Sequence, residues 1–200
     1  MRKPSLGHSR LIVLFLNFVL ASPGLTYDYP LTSSAIRDAY FLGTRQGGVT
    51  ADILKPYSRR IADLHQGTCT SEVRIETPFL QIVEYVGSMP NYSAQDAVKD
   101  FSDRPMLLHI FLDICYMREA PPPNSVKIKF IQNKKEVLPM TDVRSAYAEP
   151  CCEYGILPPN GESATLEFDP KNLDHSTFTI RIDTPDDQHA ETEFDLQSLR

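Results

Sequence analysis

Five stretches of this chain alternate apolar and polar residues with a period of two, and that alternation confines it to sheets with one buried face. Val73 and Ile75 alternate with Arg74 and Glu76. Leu108, Ile110, Leu112, Ile114 and Tyr116 alternate with His109, Phe111, Asp113 and Cys115. Val126, Ile128 and Phe130 alternate with Lys127 and Lys129, Phe178, Ile180 and Ile182 with Thr179, Arg181 and Asp183, and Thr192, Phe194 and Leu196 with Glu191, Glu193 and Asp195. Successive side chains of a strand leave opposite faces, so each stretch reads as a strand with one face buried. Polar turn sequences, Asn133-Lys134 and Pro185-Asp186-Asp187, separate neighbouring strands. Short strands so joined predict an antiparallel, immunoglobulin-like β-sandwich.

Ahead of the strands the spacing changes. Thr32 stands as an N-cap before Ile36, Ala39, Tyr40 and Gly43, which recur at three- and four-residue intervals. Ile53, Leu54, Tyr57, Ile61 and Leu64 repeat in the same way, with Pro56 near the start. The pair predicts a short helical hairpin, giving a division into helical residues 22–68 and a β-rich domain 69–200. Within the latter, Ser93 and Asp96 have capping-box spacing before Ala97, Val98 and Phe101, which predicts a helix over 91–101. Residues 79–86, apolar and following Thr77-Pro78, read as a buried strand. Residues 139–163 hold four prolines and no clear period, and read as a long loop.

The N-terminus reads as an address. Arg2, Lys3 and Arg10 precede an apolar run over 11–20, and Val19-Leu20-Ala21 supplies small-residue chemistry for cleavage, so the mature chain is expected to begin at Ser22. The run is about half of the roughly 20 residues that a bilayer span requires. No later segment is long and apolar enough, so no membrane span is expected after the signal is removed. The whole chain of 200 residues carries a net charge of −6. That balance excludes a nucleic-acid binder, which needs clustered Lys and Arg to neutralise phosphates.

Motif chemistry is sparse. No Gly-x-Ser-x-Gly elbow, His-Glu-x-x-His pair, phosphate-binding loop, dinucleotide fingerprint or EF-hand is present. His109 and Asp113 share one face of the central strand and form an alternative site for proton transfer or cation binding. The plainer reading of that face is a partly buried polar patch. Asp169, Asn172 and Asp174 offer oxygen ligands but lack the spacing of a calcium loop, and a solvated acidic sheet face explains them. Neither a cofactor nor a metal site is expected. Cys69, Cys115, Cys151 and Cys152 are disulfide candidates in an oxidising compartment. The adjacent pair Cys151-Cys152 is expected to bridge to Cys69 and Cys115, because a bond between neighbours closes a strained ring.

Tyr29-Pro30-Leu31, Ala35-Ile36-Arg37 and Ala39-Tyr40-Phe41-Leu42-Gly43 together resemble the start of uncharacterised exported bacterial proteins with no assigned activity. The resemblance implies a periplasmic or cell-surface setting and assigns no catalytic residue. The expected function is that of a non-enzymatic structural or partner-binding protein, its partner a protein or another envelope component. The alternative is an extracellular hydrolase, or a small-ligand or metal-binding protein, built on His109, Asp113 and loop residues.

Overall fold

The computed structural model describes residues 29–45, 50–66, 69–115, 125–147, 161–174 and 176–199. Residues 1–21, Ser22, Cys151 and Cys152 lie outside them. Among the described residues nine strands form two antiparallel sheets: β1 (Ser58–Gln66), β2 (Cys69–Glu76), β3 (Leu108–Cys115), β4 (Lys127–Gln132), β5 (Lys135–Val137), β6 (Thr141–Tyr147), β7 (Gly161–Phe168), β8 (Thr177–Asp183) and β9 (His189–Asp195). One sheet has the order β1-β2-β3-β7-β6 and the other β5-β4-β8-β9. Their inner faces meet through Phe168 of β7, Phe130 of β4 and Phe178 of β8, with ring centroids 4.9 and 5.8 Å from Phe168 to the other two. At one side β1 lies against β9, where the Arg59 guanidinium sits 5.1 Å from the Phe194 ring centroid. At the other side Arg144 of β6 donates to the Val126 carbonyl at 2.6 Å, just before β4.

The alternation read from the sequence is the one observed. Leu108, Ile110, Leu112 and Ile114 are buried inward, while His109, Phe111 and Asp113 line the outer face of β3. Asn133 and Lys134 take positive φ values of 51° and 63°, closing the β4–β5 hairpin with the twist that two-residue turns need.

Among the described residues four helices accompany the sheets: α1 (Ser33–Gly43), α2 (Ala51–Leu54), α3 (Pro78–Ser88) and α4 (Ala94–Phe101). Thr32 accepts the Ala35 N–H at 3.1 Å, and Ser93 with Asp96 closes the expected capping box on α4. Two assignments differ from expectation. The second helix of the supposed hairpin stops after one turn, Lys55–Tyr57 continues as a 3-10 turn, and Ser58–Gln66 is strand β1. Pairing along β2, Ser58 opposite Arg74 and Ile61 opposite Ser71, overrides a helical spacing that lacked a cap. Conversely, residues 79–86 are helical. Thr77 accepts the Leu80 N–H at 3.2 Å and Pro78 occupies the first turn, so the pair read as an interruption is a helix start. The inferred loop over 139–163 also holds β6 and the start of β7.

Helices and sheets share one core. Ile36 and Ala39 of α1, Leu80 and Val83 of α3, and Phe101 of α4 belong to the same buried cluster as Ile110, Leu166 and Phe178.

Candidate functional site

Two features stand out, a polar cluster around His109 and an apolar, lysine-bearing edge around β6. They differ in how far their groups are already satisfied.

Glu76 ends β2 directly opposite His109, because β2 and β3 pair in that register. Its carboxylate accepts from His109 Nδ1 at 2.9 Å, and His109 Nε2 stands 3.9 Å from Glu167 on β7. Arg74, two residues back on the same face, lies 3.9 Å from Glu76 and 3.7 Å from Glu84 of α3, with its guanidinium 5.0 Å from the Phe111 ring centroid. Burial pushes the Glu76 carboxyl up, but hydrogen bonds from His109 and Glu84, and the charges of His109 and Arg74, outweigh it and hold Glu76 below its ordinary value. Glu84 moves the other way: burial, its hydrogen bond with Glu76 and repulsion from Glu76 raise it. Beside them opens a cavity of about 300 Å³, lined by Gln81, Tyr85, Phe101, Arg104, Met106 and His109.

Asp113 does not join this cluster. It sits four residues along the strand from His109, about 13 Å at 3.3 Å per residue. Its cross-strand neighbours are Glu72 and Ser163, and desolvation together with the charge of Glu72 raises its carboxyl. The two residues of the sequence-derived site thus share a face without sharing a site. Asp169 and Asp174 are likewise occupied locally: Asp169 caps a 3-10 turn through the Lys171 N–H, and Asp174 accepts the Ser176 N–H at 2.8 Å. Among the described residues no group of three His, Cys, Asp or Glu is placed to hold a metal ion.

The ion network has a testable pH signature. Glu76 is lowered on folding, so its stabilisation is present above the ordinary carboxylate value and is lost as pH falls through the folded value. Glu76→Gln is expected to cost about 1–3 kcal/mol near neutral pH, the worth of a charged hydrogen bond. The gap to wild type should close in acid, measured by urea denaturation across the acid-to-neutral range. A gap independent of pH would remove the ion pair as its cause.

The edge is different in kind. Strand β6 pairs with β7 on one side and has no strand on the other among the described residues. Leu138, Met140 and Val143 are 76%, 64% and 62% exposed, three of the large apolar side chains left in water. On the inner side of the same strand Arg144 is gripped by both oxygens of Asp142, at 2.8 Å each, and stands 3.3 Å from Glu162. An inward-pointing charge on an edge strand is a device that discourages indiscriminate strand pairing. Across the gap, β4 presents Lys127 and Lys129 to solvent. Sequence reasoning missed this edge, because β6 lies where no period could be read. The available signal was three apolar residues, Leu138, Met140 and Val143, in an otherwise polar stretch.

No family model, no curated protein and no solved structure matches this chain.

Proposed function

We propose that this chain is an exported, non-enzymatic domain that binds a protein or envelope partner through the edge formed by β4, β5 and β6. The observation that carries the reading is the exposure of Leu138 and Met140, in the connection that leads into edge strand β6, together with Val143 of β6 itself. Apolar side chains gathered on an otherwise satisfied surface mark a place where a partner excludes water. The His109 cluster points the other way, since its charges already pair with one another.

The domain is of immunoglobulin-like type in this reading. Support comes from strand order: β2-β3-β7-β6 facing β5-β4-β8-β9 follows the A-B-E-D and C′-C-F-G arrangement of such sandwiches, with β1 added beside the first strand. Export rests on the basic and apolar N-terminal residues. An oxidising destination fits Cys69, Cys115, Cys151 and Cys152 as disulfide candidates, Cys115 being wholly buried at the end of β3.

The test is capture of envelope proteins on the immobilised mature chain, compared with a Met140→Lys/Val143→Lys variant. Both positions are exposed, so the variant should keep its melting temperature. A partner retained by the wild type should fall at least about tenfold with the variant, the effect of losing a central apolar contact worth about 1.4 kcal/mol. Equal retention of every captured protein would remove the edge as the binding site.

A second reading, ligand binding or hydrolysis at His109, is favoured by one observation: His109, bonded through Nδ1 to the Glu76 carboxylate at 2.9 Å, borders a cavity.

A further inference from the structure

We infer that the partner docks as an extended segment with alternating apolar and acidic residues, added as a strand beside β4 where β5 ends. This rests on the partner-binding reading and names the chemistry of the partner. Strand β8 pairs with β4 along Lys127 to Gln132, whereas β5 covers only Phe130 to Gln132. Lys127, Ile128 and Lys129 therefore have no strand on that side among the described residues. Three residues leave an open edge about 10 Å long, with backbone donors and acceptors for an incoming strand.

A groove of about 480 Å³ runs along this step, between β4 and the inner side of β6, bordered by Lys127, Ile128, Lys129, Glu136, Asp142 and Arg144. Its chemistry follows from the alternation of β4. Ile128 is half-buried and turned toward the other sheet, so residues of the added strand beside it should be apolar. Lys127 and Lys129 are turned to solvent, so residues opposite them should be acidic, because opposite charges across neighbouring strands attract.

The lysines are available for such a partner. Residues 127–135 hold Lys127, Lys129, Lys134 and Lys135 and no acid, in a chain whose net charge is −6. All four are exposed, and none takes part in an ion pair among the described residues. Arg74, Arg144 and Arg181, by contrast, are each spent on carboxylates. The basic hairpin is thus complementary to an acidic, extended chain.

The probe is a fluorescently labelled peptide of alternating Val and Glu, capped at both ends, titrated against the mature full-length chain by fluorescence anisotropy. The same peptide with Lys in place of Glu is the control. The acidic peptide should bind and the basic one should not. Lys127→Glu/Lys129→Glu should weaken the acidic peptide at least about tenfold, and added salt should weaken it further. Both positions are exposed, and an unchanged melting temperature separates lost binding from lost folding. Equal binding of the two peptides, or no effect of the charge reversal, overturns the inference. The partner-binding reading is separated by repeating the envelope capture with both double variants. A partner lost with Met140→Lys/Val143→Lys but kept with Lys127→Glu/Lys129→Glu overturns the acidic-strand inference alone, and a partner kept with both overturns the two together. Concentration-dependent dimers that the acidic peptide fails to compete away would assign the edge to a second copy of this chain and overturn it as well.

Discussion

Gly43→Ala should destabilise the protein by about 1–3 kcal/mol or more, although the change improves helix propensity. Gly43 ends α1 where that helix crosses α3. A Cβ there would stand 2.2 Å from the Val83 carbonyl oxygen and 2.5 Å from Val86 Cγ2. The first of these atoms is backbone, so no rotamer change relieves the clash, and α1 must move off α3. The approach is prepared by Ala35, Ala39 and Gly43, small buried residues at four-residue intervals along one face of α1. Gly87 answers from the other helix, where a Cβ would lie 3.1 Å from the Gly43 carbonyl oxygen. In an exposed helix the same substitution would gain about 1 kcal/mol, so the two effects carry opposite signs and packing decides. Urea denaturation gives the magnitude. Limited proteolysis should show new cleavage within 29–50, because a displaced α1 also loses the Tyr40 hydroxyl bond to the Tyr92 carbonyl. A variant as stable as wild type would mean that the helices do not meet this closely.

Phe168→Ala should cost about 3–5 kcal/mol, the usual range for a buried aromatic cut to a methyl. The ring is 1% exposed and bridges the sheets, edge-on to Phe130 at 4.9 Å and to Phe178 at 5.8 Å. Phe130 and Phe178 stack on each other at 5.6 Å within the opposite sheet and cannot close the space from one side. Since whole domains are stable by about 5–15 kcal/mol, this one change should bring the protein close to unfolding. The denaturation midpoint should fall with an unchanged slope; a loss below 1 kcal/mol would show that the sheets are not joined through this cluster.

Both predictions depend on residues whose types were legible and whose partners were not. The sequence showed Phe130 and Phe178 on buried strand faces, yet Phe168 fell just past the segment that had no period. It showed Gly43 on the apolar face of α1, yet the apolar segment that contacts it, 79–86, read as a strand. That run is continuous, and a continuous run carries no period; only Thr77 bonding the Leu80 N–H and Pro78 in the first turn decide for helix. The strand β1 was missed for the opposite reason. Its spacing mimicked a helix, and the hydrogen bonds that make it a strand come from β2, ten to sixteen residues away along the pairing from Ile61 and Ser58.

The candidate sites divide in the same way. His109 was visible as a polar residue on a central strand, but its partners Glu76 and Glu167 come from two other strands, and Asp113, its neighbour along the strand, points to a different environment. Lys127 and Lys129 were visible as the solvent face of β4, while the edge beside them, open among the described residues, arises because β5 stops at Val137 and β6 belongs to the other sheet. By itself the sequence determined which faces of β3, β4, β8 and β9 are buried, where α1 and α4 begin and where two hairpins turn. Side-chain alternation and capping act between residues a few positions apart, so they are written locally. The tertiary structure alone decided strand order, the free edge at β6 and the company of His109, because pairing, burial and charge contacts there join residues 18 to 58 positions apart, for which no local pattern exists.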